Sequence, residues 1–448
     1  MTDYIRKAGK PAAVEQLRSA ERRGRALVQP RCGVGDHKTM LALLRLLEEQ
    51  AQPGMLTVTI DSHTRLRQFR TAARTLARRP ADLNGYPLVA HGWRRGRELN
   101  EAVRAPVEVR HGSPDPRELF AVSLAAGFTS FEGGGISYNL PYSKNVPLET
   151  SLEAWRQVDA VCGELGRDGV VVDRELFGTL TAVLMPPAIS LAVTLLEGRA
   201  AAAEGVSCLS IAYPQSGEVH QDVAALRSIP VLAARYLPPS VEVFPTLHEF
   251  MGVFPLDPLG ADALILLGGL AAQLGGATKV ISKTNQEAYG IPDPQANVHG
   301  IRTTALAGSD LFDFIRIDEA SVEEEMYWLQ REVDEILGPV LARPGLRPAI
   351  VESFRDGTLD VPFSASVHAR ADVVPKRDAR GAVRYLNTGA LPFSRATLRH
   401  NDQCLKADRA AIGPRLVETI TADINRFRDL RVPPRARRAE SARGEDAS

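Results

Sequence analysis

Short apolar runs of strand length alternate with longer segments of helical periodicity from residue 26 to residue 282 of this chain. Strands are predicted over 26–30, 55–60, 88–90, 107–110, 129–132, 170–173, 207–212, 240–244 and 278–282. Helices are predicted between them over 38–50, 67–79, 117–126, 152–165, 187–204, 221–236 and 261–274. Helical crossovers between strands specify a parallel sheet. So many units within about 300 residues favour a closed (β/α)8, or TIM, barrel over an open sheet. Nine candidate strands are one more than a barrel needs, and 88–90 is the weakest of them. The barrel is assigned to 26–320, after an N-terminal segment over 1–25. Residues 321–430 read as a C-terminal α+β appendage packed on the barrel. It has a Glu-rich helix over 322–337, extended pieces at 361–363 and 382–386, and a terminal helix over 414–430. Residues 431–448 are rich in Pro, Arg and Ser and are predicted to be disordered.

Composition removes several function classes. The 54 basic and 54 acidic residues cancel, so no global field attracts nucleic acid or an anionic membrane. Anion recognition must come from locally placed arginines. The cysteines, Cys32, Cys162, Cys208 and Cys404, are scattered, which argues for a reducing compartment rather than a disulfide framework. Residues 1–10 lack an apolar signal core, and the apolar stretch 261–277 is too short and too interrupted by Asp262 and glycines for a membrane span. A soluble, cytoplasmic protein is expected. There is no HExxH, no clustered Cys/His, no P-loop, no GxGxxG and no serine nucleophile elbow. No metal site is predicted, and difficult chemistry would need a borrowed cofactor.

The segment over 129–145 holds the densest chemistry. Glu132 ends a strand, Gly133, Gly134 and Gly135 follow, and Tyr138 and Tyr142 flank Pro141. A carboxylate at a strand's C-terminal end, then a bare loop and phenols, reads as a polar ligand pocket. It also reads as a glycine-rich surface turn. Arg31, Arg65 and Arg110 each stand at or just past the end of a predicted strand, and in a barrel those ends share one mouth. Three guanidinium forks converging there would form a claw for a small dicarboxylate; singly, each is an ordinary surface arginine. Beside three cations Glu132 is expected to be ionised and able to hold a substrate ammonium. His111 is a further donor or a structural histidine. Lys283 and Glu287, four apart, would also reach the mouth or form a routine surface pair.

These residues sit in longer motifs: QPRCGV at 29–34, TIDSHTR at 59–65, RHGSPD at 110–115 and EGGGISYNLPY at 132–142. RELFG at 174–178, FMGVFP at 250–255, GATKVISK at 276–283 and VRYL at 383–386 continue the series. Together they resemble the large (epsilon) subunit of glutamate mutase, also called methylaspartate mutase, from about Leu27 to the C-terminal helix. The resemblance implies an adenosylcobalamin-dependent isomerase that interconverts L-glutamate and (2S,3S)-3-methylaspartate. There the cobalt–carbon bond breaks homolytically, the 5′-deoxyadenosyl radical removes a substrate hydrogen, and a glycinyl fragment migrates.

By the same resemblance the substrate claw falls on Arg31, Arg65 and Arg110, and the amino-group carboxylate on Glu132. The other substrate contacts fall on His111, Tyr138 and Tyr142. Cofactor contacts fall on Gly33, Asn84, Pro141, Phe177, Phe254, Lys283, Glu287 and Ile291, with Lys283 and Glu287 on the adenosine ribose. The cobalamin fingerprint DxHxxG is absent from the chain. A separate small, sigma-type cobalamin-binding subunit is therefore expected, with two large and two small chains in the assembly. Cys32, Phe131 and the segment 212–216 depart from the family pattern. They leave open a mutase acting on a related amino diacid in specialised biosynthesis. An inactive barrel serving as scaffold for the cobalamin subunit is the reading from another class.

Overall fold

The computed structural model describes residues 2–7, 9–178, 180, 183–406 and 415–430. Eight parallel strands form its centre: β1 (Leu27–Gln29), β2 (Leu56–Thr59), β3 (Val107–Arg110), β4 (Ser130–Glu132), β5 (Asp173–Leu176), β6 (Cys208–Pro214), β7 (Glu242–His248) and β8 (Lys279–Ile281). Hydrogen-bonded neighbours run β1-β8-β7-β6-β5-β4-β3-β2, so the sheet curls round until β1 and β2 meet at a seam. Isolated bonds replace the ladder there. Gly54 N–H donates to Val28 O at 3.0 Å, Thr59 N–H to Cys32 O at 2.8 Å, and the Gln29 amide to the Thr57 hydroxyl at 2.9 Å. The result is a nearly closed barrel ringed by helices, the fold class that the alternation predicts.

The barrel interior is layered. At its N-terminal end the helix Ala13–Arg23 closes the floor, where Ala13, Val14, Leu17 and Ala20 pack with Leu27, Met55, Cys208 and Phe244. Above that apolar plug the inward positions become charged. Side chains alternate along a strand, so Glu108 shares a face with Arg110, Ser130 with Glu132, and Asp173 with Glu175. Outward residues of the same strands, among them Val107, Val109, Phe131, Leu176, Leu209 and Ile211, join the helix-facing core. That outer core supplies the hydrophobic drive. The charged interior is tolerable only because its groups pair with one another.

Several expected boundaries change. Residues 88–90 are no strand; they open the helix Leu88–Glu101. The extended contact in this region is the Ile60–Tyr86 bridge, after which Pro87 and a kink at Gly92 (φ 77°) turn the chain outward. Strand β5 begins at Asp173, where the predicted strand ended. The apolar run at 170–172 is only its approach, because in this barrel the polar residues face the interior. Residues 361–363 form no strand. The small antiparallel sheet pairs β9 (Val374–Arg377) with β10 (Val383–Asn387), the latter close to the expected piece at 382–386. The Glu-rich helix extends over Glu319–Leu341 and packs on the helices Val219–Tyr236 and Pro187–Ala203. The last helix spans Leu416–Ile424; Pro414 and the tail 431–448 lie outside the described residues.

Among the described residues one helix, Pro258–Gly275, is long and apolar enough to cross a membrane, with a mean hydropathy of 1.3. Here it belongs to the outer layer, against β7, β8 and the helices Val219–Tyr236 and Pro294–Leu306.

Candidate active site

Glu132 ends β4 inside the barrel mouth and is 1% exposed. Its carboxylate accepts short hydrogen bonds from Arg110 Nη2 and from the Tyr138 hydroxyl. Tyr138 reaches back because the chain reverses after β4. Gly133 takes φ 113°, and a side chain there would strike the Tyr138 ring. Residues 134–143 then form a tight helical turn, with Tyr138 N–H on Gly134 O at 3.1 Å and Tyr142 N–H on Asn139 O at 3.0 Å. Arg174 clasps the strand end from behind. It donates to the carbonyls on either side of Glu132, those of Phe131 at 2.5 Å and Gly133 at 2.9 Å, and is tied to Asp159 at 2.8 Å.

Arg110 is committed to the protein's own acids. Its Nη1 donates to Glu108 at 2.8 Å and Glu175 at 3.0 Å, and its Nη2 lies 3.2 Å from His248 Nε2. Beneath it Lys279 reaches Glu175 at 2.7 Å, Glu108 at 3.0 Å and Asp173 at 3.4 Å. Two cations thus face four carboxylates, all buried. Glu132, Glu175 and His248 offer ligand atoms within 4.8 Å of one another, a spacing a metal ion could use. The Arg110 guanidinium contacts all three.

This excess of acid sets the protonation states. Burial, with Glu175 and Glu108 nearby, pushes Glu132 up to about 8 against the pull of Arg110. The expectation of a fully ionised Glu132 is corrected accordingly, because only one arginine touches it. Burial would also raise Glu175, but Lys279 and Arg110 outweigh it and hold that carboxylate well below its usual range. Burial and Arg110 lower His248 to about 4, so it is neutral. Burial, Arg174 and Arg65 likewise hold His111 well below the usual imidazole range. Ser113 N–H donates to His111 Nδ1 at 3.0 Å, which places the proton on Nε2. That Nε2 has no partner in hydrogen-bond geometry among the described residues.

Arg31 and Arg65 differ from Arg110. Arg31 follows β1 and is exposed. Arg65 ends the short helix Ser62–Arg65, whose first turn is capped by the Asp61 carboxylate. Among the described residues neither guanidinium has a hydrogen bond or carboxylate partner, and Arg65 Nε is buried and unsatisfied. Burial and the nearby Arg31 charge both make it harder for Arg65 to hold its proton. Tyr142 feels the fields of Arg31, Arg65, Arg110 and Glu132 together, so all four charges lie within electrostatic reach of its hydroxyl. The Tyr142 ring lies 5.7 Å from that of Tyr138, and Phe177 stands 5.2 Å from both Tyr138 and His248.

A sequence model described as the methylaspartate mutase E chain (MutE) matches residues 10–423. The chain belongs to this family. Curated relatives agree in name. It is 44% identical over 379 residues to the glutamate mutase epsilon subunit of Halobacterium salinarum, covering 83% of this chain and 79% of that one. The Desulfitobacterium hafniense glutamate mutase epsilon subunit is 42% identical over 393 residues, 85% and 80% of the two chains. That of Escherichia coli O157:H7 is 36% identical over 424 residues, 91% and 87%. As a member of the methylaspartate mutase E-chain family the protein is an isomerase.

The residues that the sequence resemblance marks as expected cofactor contacts divide into groups in the fold. Gly33, Asn84, Glu287 and Ile291 line one cleft of about 190 Å³ beside Arg31, Cys32 and Thr59. Lys283 donates to Glu287 at 2.8 Å, and its own backbone N–H is held by Glu249 at 2.7 Å. Phe177 and Pro141 lie with the tyrosines. Phe254 packs in a separate apolar cluster with Phe250, Ala261, Leu264 and Ile265, touched by Ala288 next to Glu287. Phe131 points away from the Glu132 cavity, against His111, Phe120 and Trp155. Burial pushes the Cys32 thiol up to about 12, where it is an inert donor to Thr57 O at 3.3 Å.

Reading the sequence alone missed Glu108, Asp173, Glu175, His248 and Lys279. A signal existed for three of them. Glu108 stands two before Arg110 on one strand, and Asp173 two before Glu175 on another. Polar residues at a spacing of two within short strands mark an inward polar face. His248 has it only in a weaker form, two after Thr246 on β7, and Lys279 lacks even that.

Proposed function

We propose that this chain is the catalytic, epsilon-type subunit of an adenosylcobalamin-dependent glutamate mutase that rearranges L-glutamate to (2S,3S)-3-methylaspartate. The observation that carries the reading is the pair of unpartnered guanidiniums, Arg31 and Arg65, held at the mouth beside Glu132 and Arg110. Two like charges kept close, with no acid hydrogen-bonded to either among the described residues, favour an anion. One substrate carboxylate takes the free donors of Arg31 and Arg65. The other takes Arg110 once part of its present contact with the barrel acids gives way. The substrate ammonium goes to Glu132, with the Tyr138 and Tyr142 hydroxyls and the neutral His111 Nε2–H completing the polar shell.

Adenosylcobalamin, when bound, supplies the 5′-deoxyadenosyl radical that takes a substrate hydrogen. The residues here suit such a group. The Glu287 carboxylate with its Lys283 partner offers both acceptor and donor to a ribose diol, and the adjoining cleft runs from Gly33 and Asn84 to Ile291. Pro141, Phe177 and Phe254 belong to the same proposed set. The rest of the work of this chain is positioning. Rigid strand ends hold the carbon skeleton in register, and a closed barrel keeps water from a reactive intermediate.

The corrin-binding fingerprint is lacking, so a small sigma-type subunit would deliver the cofactor to the mouth. Tyr142, Leu256, Leu259, Tyr289 and Ile291, all exposed, give such a partner an apolar rim. The proposed assembly is two large and two small chains in the cytoplasm. The test combines this chain with a DxHxxG-containing subunit, adenosylcobalamin and L-glutamate, and looks for methylaspartate. Formation of methylaspartate is the expected result. Turnover of another amino diacid but not glutamate would replace the substrate, and no turnover of any would favour the scaffold.

Arg65→Lys keeps the charge but loses the fork. It is expected to raise KM for glutamate about tenfold, with the melting temperature unchanged, because no protein partner is lost. An unaltered KM would remove Arg65 from the claw.

A further inference from the structure

The helix Pro187–Ala203 carries a buried acid that the chemistry above does not use. Glu197 is 5% exposed and its carboxylate points into the turn after β4. Oε1 accepts from the backbone N–H groups of Ile136 and Ser137, each at 2.8 Å, and the Ser137 hydroxyl lies 3.1 Å and 3.0 Å from the two oxygens. Those N–H groups open the helical turn that carries Tyr138 and Tyr142, and the first turn of any helix leaves such donors unsatisfied. Burial raises the Glu197 carboxyl to about 7 against the pull of these N–H donors. Its hydrogen-bond geometry, charged or not, holds both amides; the carboxylate form binds them more strongly. Gly134 makes room for it, since a Cβ at that position would lie 2.2 Å from the Glu197 carboxyl carbon.

We infer that Glu197 is a positioning residue for the reaction: it anchors the turn 134–143 so that the Tyr138 hydroxyl bonds Glu132 and fixes the carboxylate that receives the substrate amino group. The inference rests on the proposed role of Glu132. It adds a specific line of action, from a helix of the outer layer through two backbone amides and one phenol to the reacting region.

The test compares wild type, Glu197→Gln, Glu197→Asp and Tyr138→Phe, assembled with the cobalamin subunit and cofactor. In Glu197→Gln the amides of Ile136 and Ser137 are expected to exchange with solvent at least about tenfold faster. The value of kcat/KM for glutamate falls about tenfold in the wild-type background and less than about twofold in the Tyr138→Phe background, because the two changes share one path. Glu197→Asp, which keeps the carboxyl group, recovers part of both signals and serves if the glutamine variant folds poorly. Equal losses in the two backgrounds, or unchanged exchange at 136–137, overturn the inference. If wild type fails to turn over glutamate, the mutase reading falls by itself, and amide exchange still decides whether Glu197 holds the turn.

Discussion

Lys279→Met is expected to cost the fold about 3–5 kcal/mol, the range for removing one partner of a buried ionic group. Lys279 is fully buried and faces Glu108, Asp173 and Glu175 at 2.7–3.4 Å. Methionine fills a similar volume but, among the described residues, leaves Glu108 and Glu175 with Arg110 as their one cation and Asp173 with none. At roughly 2–4 °C per kcal/mol the melting temperature drops by about 10 °C. The loss has a definite pH dependence. In the wild type Glu175 is held below its unfolded value, so its stabilisation is present above the ordinary carboxylate pKa and is lost as pH falls through the folded value. In the variant those acids are raised, and acidification relieves them. The gap between the two proteins therefore narrows from pH 8 toward pH 5, which calorimetry at several pH values would measure. A variant melting within about 2 °C of wild type at pH 8 would show that the charged floor is not held by this lysine.

Glu132→Gln should have the largest effect on activity, lowering kcat/KM for glutamate by about a hundredfold or more, within the usual range for a positioned acid or base. The substitution is isosteric and can still accept from Arg110 or Tyr138, so folding is expected to survive. The proton balance gives a sharper readout. In the free enzyme Glu132, faced by Arg110, Tyr138, Glu175 and His248, keeps its proton below about 8. A substrate ammonium needs the carboxylate form. Binding at pH 7 should therefore release about one proton, visible as a buffer-dependent heat, and apparent affinity should rise with pH until about 8. Glu132→Gln should release none and lose that slope. Buffer-independent wild-type heats would show that Glu132 is already ionised before substrate arrives. The same raised pKa makes a stability statement. Between 4.5 and about 8 the folded chain holds a proton that the unfolded chain has lost, so this group's contribution weakens as pH climbs through that window.

Of the three arginines that the sequence marks by position, Arg31 and Arg65 have no hydrogen-bonded acid among the described residues, whereas Arg110 is enclosed by acids. Position at a strand end is a local property and can be read from an alternation of strands and helices. Engagement is not, because the groups around Arg110 come from β3, β4, β5 and β7. The same distinction explains the two misplaced strands. At 88–90 three apolar residues are too few to show any period, and the neighbouring Tyr86 bridge and Gly92 kink decided the outcome. At 170–173 an apolar run looked more strand-like than Asp173-Arg174-Glu175, whose burial is acceptable only because Lys279, Arg110 and Asp159 wait on other elements.

The sequence by itself determined the parallel barrel, the common mouth, and the presence there of Arg31, Arg65, Arg110, Glu132 and the two tyrosines, since each follows from periodicity or from motifs contiguous in the chain. Only the tertiary structure decided which charges face one another, that Glu132 sits among excess acid, and that Glu197 reaches the turn from a helix about 60 residues downstream. Periodicity is set by the geometry of a single strand or helix. Pairing and protonation are set by the register between strands and by low-dielectric contact across the barrel, which no local stretch of sequence encodes.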